Sequence, residues 1–206
     1  MEKEVLENYK RYLERVAFYR SNGYDLEKER DFIIDRSLPV SGEILEIGTG
    51  KGHFALALAK RGYKLTSVDI SRQEQEVASL NLRYFGLEKQ VTLRTEDARH
   101  LSFPDGSFGS IFSVNVFHHL DKPRMVLDEI IRLLRHDGKV VLSDFSDKGL
   151  EIINACHANE GRKHDHIKYC LSEAEDYFVS KGFYIDECQS QVQRIIIAER
   201  SKAQAA

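Results

Sequence analysis

The segment Glu46-Ile-Gly48-Thr-Gly50-Lys-Gly52-His53 sets three glycines at alternate positions between an apolar run and a helical pattern. Glycine lets a backbone turn tightly and approach a ligand closely, and the helix N-terminus that follows offers unpaired N–H groups. The spacing disfavours two phosphate-binding motifs. A dinucleotide fingerprint wants G-x-G-x-x-G, and His53 stands where its third glycine belongs. A Walker loop wants G-x-x-x-x-G-K-[ST], whereas Lys51 here lies between two glycines. Glu46 adds an acid just before the first glycine. Alone, the segment is also compatible with a plain Gly-rich strand-to-helix turn.

Three further polar residues close apolar runs. Asp69 ends Ser67-Val-Asp-Ile70, Asp97 follows Val91–Glu96, and Asn115 ends Phe112-Ser-Val-Asn-Val116. A carboxylate at Asp69 can accept both hydroxyls of a ribose, and one at Asp97 can accept an exocyclic amine. Each residue on its own fits a helix cap or a turn. Four polar strand ends in succession, with the glycine loop among them, point to one binding edge.

Two histidine-bearing segments follow. His118-His119 comes directly after the fourth apolar run, and a neutral imidazole there has the basicity to take a proton or to orient an acceptor. The alternative is one packed ring and one ring bonded to backbone. Between Cys156 and Cys170 lie His157, Glu160, Arg162, Lys163, His164 and His166. If 154–160 is helical, His157 and Glu160 share a face. With His164 or His166 they are metal candidates, or with Arg162 and Lys163 an anion site. No standard zinc spacing is matched, so an ordinary polar loop is the simpler reading.

The elements needed to position these groups are legible in the pattern. The chain has 206 residues, 42% hydrophobic and 31% charged, which suits one folded domain rather than a disordered chain. No apolar run reaches the ~18 residues of a spanning helix, and the charged N-terminus has no signal-peptide core. A net charge of −3 argues against a broad nucleic-acid surface. Three cysteines with no close pair make a disulfide framework improbable and a cytoplasmic setting the expectation.

Residues 2–20 carry an apolar stripe at spacings of three and four, and a second helical stretch covers about 25–37. Strands are expected at 43–47, 64–70, 91–96, 108–114, 139–144, 183–188 and 193–199, with helices at 52–61, 73–85, 123–134, 148–160 and 171–181. Turns are expected at Pro104-Asp-Gly106 and Asp137-Gly138. Alternating strands and helices predict an α/β fold, a three-layer sandwich around a mostly parallel sheet. The link Gln189–Gln193 is too short for a parallel crossover, so the last strand should run antiparallel. Three units are expected: an N-terminal helical segment over 1–40, the main domain over 41–200 and a tail over 201–206.

Here the sequence resembles the class I S-adenosylmethionine-dependent methyltransferases, most closely their small-molecule, ubiquinone-biosynthesis-type branch. The matching words are Glu46-Ile-Gly-Thr-Gly-Lys-Gly52, Val68-Asp-Ile70, Glu96-Asp-Ala98, Leu101-Ser-Phe-Pro-Asp-Gly-Ser-Phe108, Val114-Asn-Val-Phe-His-His-Leu120 and Gly138-Lys-Val-Val-Leu142, spanning about 40–146. The resemblance implies a Rossmann-like fold with a seven-stranded sheet, and that the N-terminal helical segment over 1–40 is a lid. It implies S-adenosyl-L-methionine as cofactor, with S-adenosyl-L-homocysteine as product. Glu46, Gly48, Thr49, Gly50 and Gly52 would belong to the loop cradling its methionine part. Asp69 would take the ribose hydroxyls with Ile70 against the adenine, Asp97 and Ala98 the adenine edge, and Asn115 and Val116 the methionine end. His118 and His119 would stand at the mouth of the site as catalytic candidates.

The expected reaction is methyl transfer to a small-molecule acceptor by in-line displacement, with no metal in the transfer chemistry. A chain this short leaves little room for a separate recognition domain, which disfavours a protein- or RNA-directed enzyme. A non-catalytic S-adenosylmethionine-binding module and a nicotinamide oxidoreductase are the remaining alternatives. The acceptor, the attacking atom and the oligomeric state are not encoded in any motif.

Overall fold

Short apolar runs that stop at Gly, Asp or Asn form strands buried on both faces. Ile44–Ile47 (β1), Leu65–Asp69 (β2) and Phe108–Val114 (β4) follow this pattern, whereas Val91–Thr95 (β3) is a partly exposed edge strand. The computed structural model describes residues 2–159 and 169–200. Its remaining strands are Leu134–Phe145 (β5), Phe183–Gln189 (β6) and Gln193–Arg200 (β7), and together the seven make one sheet in the order β3-β2-β1-β4-β5-β7-β6. β1 to β5 pair in parallel. β7 is antiparallel to both β5 and β6, as the short link before it requires. The strand order reverses at β1, so the carboxyl ends of β1 and β4 border a natural crevice.

The helices are Lys3–Ser21 (α1), Leu26–Arg36 (α2), His53–Lys60 (α3), Arg72–Tyr84 (α4), Pro123–Leu133 (α5), Asp147–Asn159 (α6) and Leu171–Ser180 (α7). α5 opens with Pro123 in its first turn, where a missing N–H costs nothing, and buries Val126, Leu127, Ile130 and Leu133. These residues join Leu45, Ile47 and Phe178 in the core on one face of the sheet. On the other face, Ile33 and Ile34 of α2, Phe54 and Leu58 of α3 and Leu82 of α4 pack with Ile44 and Phe112. The sandwich thus has three layers.

α1 lies outside this frame and rests on α4. Asn8 donates to Asn81 at 2.7 Å in a buried contact, and the rings of Tyr9 and Tyr84 stack with centroids 3.5 Å apart. Farther along, Val16 and Tyr19 form a third cluster with Tyr24, Leu26, Ile153 and Cys156, which brings α1, α2 and α6 together over the strand ends. The expected turn at Asp137-Gly138 lies instead within β5. There the pairing jumps from Phe108–Leu134 to Ser110–Lys139, so residues 135–138 bulge out of the ladder.

Candidate active site

The carboxyl ends of β1 to β4 open into one cleft of about 620 Å³. The chain leaves β1 through the glycine loop and enters α3. Gly48 has φ +87, and a Cβ there would stand 2.1 Å from Cγ2 of Val116. Only glycine admits this approach of the loop to the end of β4. Gly50 faces open space and lines the cleft. Gly52 does not line it. A Cβ at Gly52 would fall 2.7 Å from that of Ala78, so this glycine serves the contact of the loop with α4.

Glu46 and Thr49 line the inner end of the cleft and also brace the loop from beneath. Ser67 donates to Glu46, the hydroxyls of Thr49 and Ser67 lie 2.5 Å apart, and Gln75 donates to Thr49 at 2.9 Å. The donors run in one direction, from Gln75 through Thr49 and Ser67 to the carboxyl. Burial pushes the Glu46 carboxyl up to about 8, against the lowering effect of the Ser67 hydrogen bond, so it is mainly protonated at neutral pH. Its first structural role is to tie β1, β2, the loop and α4 together.

Asp69, at the end of β2, accepts the Gly50 N–H at 2.7 Å and the Ser71 N–H at 2.8 Å. These bonds fix the carboxylate while leaving acceptor capacity toward the cleft. Ile70 beside it is 69% exposed, an apolar plate on the cleft wall. Asp97 is gripped by Arg99 through Nε at 2.9 Å and Nη2 at 2.5 Å, and this guanidinium holds its carboxyl down at about 2. Asn115 has φ +57, a left-handed backbone that asparagine tolerates better than most residues. Its Oδ1 is buried and accepts no hydrogen bond. Ala98 and Val116 also line the cleft.

His118 and His119 take different places. His119 borders the cleft, whereas His118 is buried and faces a second cavity of about 270 Å³. The two cavities share Arg30, Lys51, His53, Glu74, Asn115 and His119, so they adjoin at the β4 end. His118 Nδ1 lies 2.6 Å from Asp144 Oδ1, and the His118 N–H donates to Asp144 Oδ2 at 3.2 Å. Sequence reading missed Asp144, although it lies at the carboxyl end of β5, one residue before its last. It also missed Arg30, which α2 brings to both cavities. His53 lies at their junction, where burial and the charges of Arg30, Lys51 and Arg15 keep its ring neutral.

Of the metal candidates, His157 lines the second cavity, while Glu160, His164 and His166 lie outside the described residues. Among the described residues, no group of three or more His, Cys, Asp or Glu side chains is arranged to hold a metal ion. No helix among them is long and apolar enough to cross a membrane.

A model of the methyltransferase domain family matches residues 45–142, from β1 into β5. The chain belongs to the class I S-adenosylmethionine-dependent methyltransferases. It is 34% identical over 151 residues to the uncharacterized methyltransferase YcgJ of Bacillus subtilis, covering 71% of this chain and 58% of that protein. It is 31% identical over 114 residues to the ubiquinone biosynthesis O-methyltransferase of Aeromonas salmonicida, covering 55% of this chain and 48% of that one. The crystal structure of the Bacillus YcgJ protein shares the fold, with a TM-score of 0.67 and 23% identity over 84% of this chain and 98% of that chain. The chain spans 39%, 58% and 54% of the first three curated relatives it matches.

Proposed function

We propose that the protein transfers a methyl group from S-adenosyl-L-methionine to a small-molecule acceptor. The observation that carries this reading is the delivery of Gly48 and Gly50, Asp69, Asp97 and Asn115 to one cleft by four successive strand ends. The residues fit the cofactor. Asp69 presents fixed carboxylate oxygens suited to ribose hydroxyls, and Ile70 gives the adenine an apolar face. Asp97 and Ala98 stand where the adenine edge would lie, with Arg99 sharing the carboxylate. The unsatisfied Oδ1 of Asn115 suits an ammonium group at the methionine end. Val116 packs the loop against that end. Glu46 and Thr49 line the inner end of the cleft while bracing the loop, and Gly52 supports the loop against α4.

The cofactor supplies an already activated sulfonium methyl, so the protein mainly aligns the attacking atom and keeps water out. α1 and α2, with Tyr19 and Tyr24, close the second cavity and form the lid of the expected 1–40 segment. Where the acceptor must lose a proton, His118 receives it at Nε2, because Asp144 holds the other nitrogen as the donor. His119 orients the acceptor at the junction of the two cavities. The name of the ubiquinone-biosynthesis relative favours a small acceptor over a protein or RNA. The cysteine usage favours a cytoplasmic setting.

Calorimetric titration with S-adenosyl-L-methionine, S-adenosyl-L-homocysteine and NAD tests the reading. Micromolar binding of the first two and none of NAD is expected. Binding of NAD alone would replace methyl transfer with hydride chemistry.

A further inference from the structure

The second cavity combines cations with aromatic rings. Arg15 of α1 and Arg30 of α2 both line it, and among the described residues neither is ion-paired with a carboxylate. Arg15 instead bonds the Tyr19 hydroxyl at 3.3 Å, and Arg30 donates to the Leu26 carbonyl at 2.8 Å. Among the described residues that line the cavity, Glu74 is the one acid. Half-buried guanidinium groups without a counter-ion suit an anionic ligand, and their planar fork matches a carboxylate. His53 adds a neutral ring whose Nδ1 is sealed from solvent and has no hydrogen-bond partner.

The rings are continuous. Tyr19 meets Tyr24 edge-on with centroids 6.0 Å apart, and Tyr24 meets Phe145 edge-on at 5.8 Å. Such a wall takes a planar ring in the same geometry. At about 270 Å³ the cavity falls just below the range of drug-sized sites, about 300–1,000 Å³. One ring with short substituents therefore fits better than a large ligand.

We propose that the acceptor is a small aromatic acid, its carboxylate held by Arg15 and Arg30 and its ring set against Tyr19, Tyr24 and Phe145. This deepens the methyl-transfer reading and rests on it for the word acceptor. Arg30 also borders the cofactor cleft, where the cofactor's own carboxylate is a second source of negative charge. Arg15 lines the second cavity and a neighbouring one of about 580 Å³ but not the cleft, so its charge is set apart from the cofactor and faces the acceptor side. An acid bound here would lie beside the His118–Asp144 pair, which could then take a proton from a ring substituent.

The test is calorimetric titration of the full chain with benzoate, 3-hydroxybenzoate, benzamide and benzylamine, with and without saturating S-adenosyl-L-homocysteine. The carboxylates should bind at least tenfold more tightly than benzamide, and benzylamine least. Arg15→Gln should cost tenfold or more in 3-hydroxybenzoate affinity while changing S-adenosyl-L-methionine affinity less than twofold, and Arg15→Lys should recover part of the loss. Circular dichroism checks that each variant is folded. A flat response across the four probes, including no binding of any, overturns the proposal. So does an Arg15→Gln variant that loses cofactor and carboxylate affinity equally, since the guanidinium would then serve the cofactor. Absence of S-adenosyl-L-homocysteine binding to the unmodified protein would sink the methyl-transfer reading instead, and a carboxylate preference persisting without it would leave the anionic cavity standing.

Discussion

His118 Nδ1 lies 2.6 Å from Asp144 Oδ1, joining the turn after β4 to the end of β5 in a buried contact. Asp144 also accepts the backbone N–H groups of His118 and Phe145. One carboxylate therefore fixes both the ring and the two chain segments that carry it. A buried acceptor that serves three donors is costly to remove, because each donor left behind is desolvated and unpaired.

Asp144→Ala should accordingly lower unfolding stability by about 3 kcal/mol, and Asp144→Asn, which keeps an acceptor, by about 1 kcal/mol. Urea unfolding measures both. If His118 acts as a base, Asp144→Asn should also slow methyl transfer by about 100-fold while leaving cofactor affinity unchanged. Equal stability of the alanine variant and the unmodified protein would show that the pair is not structurally coupled.

Asp69→Ala removes the acceptor assigned to the ribose. S-adenosyl-L-methionine binding should weaken by about 2 kcal/mol, roughly 30-fold in Kd. Unchanged affinity in calorimetry would refute the ribose assignment.

Gly48 and Gly50 should answer differently to the same change. Gly48→Ala drives a methyl into Val116 at a positive φ and should destabilise the fold by about 3 kcal/mol or more. Adding Val116→Ala should restore part of that. Gly50→Ala meets no atom within 4 Å. It should cost only the left-handed backbone, about 1 kcal/mol, and show its main effect as weaker cofactor binding. Thermal melts set beside titrations separate the two.

Glu46 gives a pH dependence of defined sign. Its folded value of about 8 exceeds the unfolded value of 4.5 because burial disfavours the charge. Below pH 4.5 both states are protonated, and the buried neutral carboxyl carries no penalty of ionisation. Between 4.5 and 8 the unfolded chain has released the proton and the native state has kept it. Stability therefore falls as pH rises through that window, by up to about 1.4 kcal/mol per unit. Unfolding between pH 5 and pH 8 should be less steep in Glu46→Gln, which cannot titrate. An identical slope in the variant would assign the pH dependence to other groups.

The sequence by itself determined the sheet and its binding edge. Short apolar runs closed by Gly48, Asp69, Asp97 and Asn115 together marked strands whose ends share one edge, and Gln189–Gln193 was too short for a parallel crossover. Those signals are local, carried by neighbours in the chain. The tertiary structure decided what depends on side chains meeting across elements. It turned the Thr49 hydroxyl inward to Ser67, set Gly52 against Ala78, joined His118 to Asp144 across 26 positions, and brought Arg15 and Arg30 from the N-terminal helices over the strand ends. Periodicity states which face of an element is buried. It does not state which residue of another element lies opposite, because that follows from the crossing of helices and the register of strands, set only when the whole core packs.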